Sequence, residues 1–138
     1  MNDKVTIQVP PAAEHLAVLR TAIGGIAGRR RFTLDQVDDL RMAVEEAANQ
    51  LLRHGKDSPI TMDVTISEDS IEAALSAEVR RSDPIIDESS FSWMILRALA
   101  DDLKVDAEGG RARVVLLKRR LEARTGDAAA SGGTQDGT

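Results

Sequence analysis

Near the start, Val5, Ile7 and Val9 alternate with Thr6 and Gln8, a period of two that predicts a strand with one buried face. Pro10 and Pro11 end it and suit a helix start. The period then changes. Leu16, Leu19, Ile23 and Ile26 form one apolar helical stripe, weakened toward its end by Gly24, Gly25 and Gly28. A second helix opens on a capping box, Thr33 with Gln36, and carries Val37, Leu40, Val44, Ala47, Ala48 and Leu51 on one face. It is expected to run to about Arg53, with Gly55 as its stop.

Two alternating stretches follow, Ile60–Ser67 and Ile71–Arg80, joined by a turn at 67–70. Residues 81–89 read as a loop. A third helix from near Ser90 to near Asp101 is expected to bury Phe91, Met94, Ile95, Ala98 and Leu99. A last hairpin turns at Glu108-Gly109-Gly110. The order β-α-α-β-β-α-β-β predicts a two-layer α/β sandwich: a five-stranded, mixed but mostly antiparallel sheet covered on one face by three helices. Residues 1–122 are expected to form this domain. Residues 123–138, rich in Gly, Ala, Ser and Thr, are expected to be a disordered tail.

Composition narrows the chemistry. The 138 residues contain no cysteine, which excludes disulfides, thiolate metal sites and a thiol nucleophile. With 18 basic and 23 acidic residues the net charge is −5, and only 2% of residues are aromatic. Both facts argue against direct nucleic-acid binding by phosphate neutralisation or base stacking. No apolar run approaches the roughly 20 residues of a membrane helix, and no leader peptide is visible, so a cytoplasmic protein is expected. His15 and His54 lack ligand spacing, and Ser89, Ser90 and Ser92 have no sequence-local base, so neither a metal site nor a nucleophilic triad is expected from them.

The segment DLRMAVEEAANQLLRHG, residues 39–55, resembles the N-box of the GHKL ATPase superfamily, most closely the RsbW-type anti-sigma factors. FSWMILRALADDL resembles the helix and acidic turn after the ATP lid in actinobacterial members, and the resemblance covers roughly residues 3–122. It implies a Bergerat-type fold. In the register set by His54 and Gly55, the family's Glu falls on Glu46 and its magnesium-ligating Asn on Gln50, one methylene longer. Asn49 pairs with Glu45 at the same spacing but lies about 100° further round the helix. The family's adenine-reading Asp falls on Arg81, with Asp83 the nearby substitute, followed by Pro84 instead of glycine. Its Gly-rich phosphate loop reads ESSFSW, where Ser89 and Ser90 offer hydroxyls and N–H groups but also suit helix capping.

Two functions stay open on this reading. One is an anti-sigma binding module with weak or lost ATP binding, which sequesters an alternative sigma factor and is released by a STAS-domain anti-anti-sigma protein. The other is an active serine kinase that phosphorylates that antagonist with Mg·ATP, using Glu46 as base and Gln50 as metal ligand. The resemblance also implies a homodimer formed through the sheet side. Arg20, off the apolar face of the first helix, and Trp93, about 200° from Phe91 on the third, are candidate partner contacts. Arg29–Arg31 and Lys118–Arg120 are basic runs that suit either an acidic partner or ordinary solvation.

Overall fold

The computed structural model describes residues 2–80 and 87–121. Its elements are β1 (Asp3–Val9), α1 (Ala13–Gly28), α2 (Leu34–His54), β2 (Ile60–Ile66), β3 (Ser70–Glu78), α3 (Phe91–Leu99), β4 (Asp102–Glu108) and β5 (Arg111–Arg119). The sheet order is β1-β2-β3-β5-β4. The sheet, expected to be mostly antiparallel, is antiparallel at each of these neighbouring pairs.

Alternation decides which face is covered. Ile60, Met62, Val64, Ile71, Ala73, Leu75, Ala112, Val114 and Leu116 turn to the helices and are buried. Thr6, Asp63, Lys104 and Arg113 take the other face and are exposed. Leu16, Leu19, Ile23 and Ala27 of α1, with Leu40, Val44, Ala47, Ala48 and Leu51 of α2, close the core from above. The expected Ile26 only borders it, and Ala27 takes the buried place.

The capping box at Thr33 forms as expected, the Gln36 N–H donating to Thr33 Oγ1 at 3.1 Å and the Thr33 N–H to Gln36 Oε1 at 3.2 Å. Gln36 is itself buried. Its Nε2 donates to the Arg119 carbonyl at 2.7 Å, and its Oε1 also accepts from the Leu121 N–H at 3.3 Å. One side chain thus stitches the start of α2 to the end of β5. At the other end, α2 stops at Gly55 as expected, with that residue extended (φ −75°). Glycine is needed there for space. A Cβ would stand 2.7 Å from the Leu51 carbonyl oxygen, and the residue bridges Val79 of the sheet.

The burial of α3 differs from the expected stripe. Phe91 and Met94 are 72% and 60% exposed, whereas Leu96 is fully buried and Trp93 packs partly against the core. Apolar residues occupy most of the circumference of this nine-residue helix, so no single orientation buries them all. The buried ammonium of Lys118 selects the orientation at its far end, donating to the Leu99 carbonyl at 2.7 Å and to Asp39 Oδ2 of α2 at 3.1 Å.

Candidate functional site

Glu46 and Gln50 are one helical turn apart, so their side chains lie on the same strip of α2. That strip faces α3. The start of α3 is set by Ser90, whose hydroxyl accepts from the Trp93 N–H at 3.1 Å while its own N–H donates to the Asp87 carbonyl at 2.8 Å. With the helix anchored there, Ser92 falls in its first turn and points at α2.

The three side chains close a triangle. Ser92 Oγ donates to Glu46 Oε2 at 2.5 Å, Gln50 Nε2 donates to Ser92 Oγ at 2.8 Å, and the same amide donates to Glu46 Oε2 at 3.2 Å. Gln50 is only 7% exposed, held between α2 and α3. Glu46 is half-buried, and its carboxylate beside the first turn of α3 suits that helix's dipole.

In this arrangement the three side chains turn toward one another and do not present a magnesium-ligand set. Magnesium requires oxygen ligands in near-ideal octahedral array at about 2.0–2.1 Å. Here Gln50 turns its NH2 group toward the other two side chains, and one Glu46 oxygen is occupied by two donors. A nucleotide phosphate held between α2 and α3 would require the triangle to open.

The other expected site residues are dispersed. Asn49 is exposed and stands outside the triangle. Ser89 is exposed, its N–H donating to Asp87 Oδ1 at 3.1 Å, and Ser90 is spent on capping α3. Asp83, the substitute adenine contact, lies outside the described residues. Arg20 is not a free cation. Its Nη1 donates to Glu45 Oε1 of α2 at 3.2 Å, and its Nε is buried without a hydrogen-bond partner among the described residues. Trp93, expected to face away from the core stripe, packs against the core, and Phe91 and Met94 project instead.

Ser92 was weighed from the sequence only as a nucleophile, and its contact with Glu46 and Gln50 was missed. The signal was faint: Ser92 lies four residues before Leu96, on the buried side of α3, and 46 positions from Glu46 in the chain.

The family model of the histidine kinase-like ATPase domain matches residues 9–118. The chain is 35% identical over 106 residues to the anti-sigma-F factor RsbW of Mycobacterium tuberculosis, covering 76% of this chain and 62% of that protein. It is also 35% identical over 80 residues to the serine-protein kinase RsbW of Listeria monocytogenes, covering 55% of this chain and 51% of the kinase. The match thus spans about half to three fifths of these relatives' lengths. Among solved structures, the RsbU and RsbW domains of a Mycobacterium tuberculosis protein superpose with a TM-score of 0.70 at 12% identity, over 88% of this chain and 34% of that one. That likeness is one of fold. Together with the family match, which runs from the end of β1 into the end of β5, it assigns the chain to the histidine kinase-like ATPase domain family.

Proposed function

We propose that this chain is an anti-sigma factor that works by binding: it sequesters an alternative sigma factor in the cytoplasm and gives it up to a STAS-domain anti-anti-sigma protein. The observation that carries the reading is the match to an anti-sigma-F factor over 76% of the chain. Outward-facing Phe91 and Met94, on a helix whose other side is anchored, supply an apolar surface of the kind partners bury. Arg20, fixed by Glu45, would contribute to the same partner surface, and a homodimer would form through the open face of the sheet.

The closed Glu46–Gln50–Ser92 triangle supports weak or lost Mg·ATP binding. A second reading, an active serine kinase, is favoured by the kinase name of the Listeria relative and by the retained Glu46. It requires Glu46 to leave Ser92 and Gln50 before it can act as a base.

Affinity capture from lysate of the source cell tests the binding reading. A stoichiometric sigma factor supports it, and a STAS protein alone, or none, overturns it. Thermal melts with and without millimolar Mg·ATP separate the two readings. A ligand at a hundred times its Kd adds about 2.7 kcal/mol of stability, so a kinase should melt visibly higher and a pure binding module should not move.

A further inference from the structure

Arg29, Arg30 and Arg31 in the α1–α2 turn and Arg120 just after β5 come together around one concavity of about 310 Å³, with Glu68 of the β2–β3 turn in its wall. From this geometry we infer an anion-binding site that docks an acidic segment of a partner protein. The proposal is independent of the anti-sigma reading. The site also lies far from the triangle. Seventeen residues of α2 separate Thr33 from Gln50, a distance of about 25 Å along the helix at 1.5 Å per residue.

The basic groups are held in place from three directions. Gln36 ties the chain on either side of Arg120 to the start of α2. Arg120 is fixed at both ends, its N–H donating to the Asp69 carbonyl at 2.7 Å and its Nη1 to the Glu68 carbonyl at 3.0 Å. Arg30 Nη2 reaches the Ser67 carbonyl at 3.4 Å. These are single bonds to carbonyls, and each guanidinium has five donors, so contacts among the described residues use only a small part of the donor capacity. Among the described residues no carboxylate stands within ion-pair distance of the four arginines, and Glu68 lowers the local positive charge without cancelling it.

The lining selects the ligand class. Pockets for metabolites are lined mostly by apolar and aromatic residues, and all five residues lining this one are charged. Guanidinium forks match carboxylate and phosphate oxygens in pairs. Nucleic acid suits the surroundings poorly, because the chain carries a net charge of −5 and the lining offers no aromatic ring for stacking. A run of Asp and Glu side chains on a partner meets these conditions best.

The test titrates the full chain with fluorescein-labelled hexaglutamate by anisotropy at low and moderate salt, beside inorganic phosphate and a twelve-nucleotide oligothymidylate as competitors. The variant Arg29→Gln/Arg31→Asn removes two exposed cations, and Asn tolerates the φ of +67° at position 31. Lys56→Gln, exposed in the loop after α2, removes a like charge elsewhere. Saturable, salt-sensitive binding that the double variant weakens about tenfold, while Lys56→Gln changes it less than twofold, is the expected result. Absent binding, or binding equally affected by both variants, overturns the site. Phosphate or oligothymidylate binding more tightly than the peptide overturns the acidic-segment assignment.

Discussion

Replacing Ser92 by alanine should loosen α3 from α2. The substitution deletes a hydrogen bond to a carboxylate, worth about 1.5–3 kcal/mol, and one from a neutral amide, worth about 0.5–1.5 kcal/mol. Two effects reduce the loss: alanine favours a helix over serine by about 0.5 kcal/mol, and half-buried Glu46 regains water. The net expectation is about 1.5–3 kcal/mol, or a fall in Tm of about 5–10 °C for a domain of this size. The chain has a single tryptophan, Trp93, adjacent to Ser92 in the same helix. Urea unfolding followed by tryptophan fluorescence therefore reports this contact directly, and the midpoint should drop with an unchanged slope. A double-mutant cycle with Glu46→Ala should give a coupling of at least about 1 kcal/mol. Ser92→Thr, which keeps a hydroxyl, should recover part of the loss. A change below about 0.5 kcal/mol, or strict additivity with Glu46→Ala, would refute the triangle as a structural unit.

Gly55→Ala should destabilise by about 1–3 kcal/mol or more, because its Cβ would meet a backbone oxygen at 2.7 Å that no rotamer change can move; thermal melting checks this. Lys118→Ala strips donors from the Leu99 carbonyl and from Asp39, and calorimetry should find a loss of about 1–3 kcal/mol. Thr33→Ala removes half of the capping box and should cost about 1 kcal/mol in urea titration, whereas Ser89→Ala, an exposed hydroxyl, should stay within about 0.5 kcal/mol.

Much of the architecture was legible because the core elements have unambiguous periods. Val5, Ile7 and Val9 alternate cleanly, and the seven-residue β2 shows its buried and outward positions in turn. The α2 start was readable from Thr33 and Gln36 because capping is local chemistry. The α3 face was not, since Phe91, Trp93, Met94, Ile95, Leu96 and Leu99 surround most of a nine-residue helix. Its orientation is decided by distant partners, Glu46 and Lys118. The same limit governs the candidate site. Glu46 and Gln50 were visible as a four-residue pair on α2, but the hydroxyl that joins them arrives from a separate helix. Likewise Arg29–Arg31 and Arg120 were apparent only as two basic runs, and their convergence required the Gln36 stitch.

The strand order has a consequence for biosynthesis. β5 is the last of the five described strands to leave the ribosome, yet it lies inside the sheet, between β3 and β4. Until residues 111–119 emerge, β3 presents an open edge flanked by apolar side chains, and β4 has no neighbour to pair with. An incomplete nascent chain is then a sticky, half-built sheet that chaperones or proteases would recognise. Completion comes in one late step that seats β5, pairs β4 and lets Gln36 grip the end of the strand. A translational pause that falls after β4 but before β5 has emerged should therefore be far more damaging to yield than an equal pause between α1 and α2.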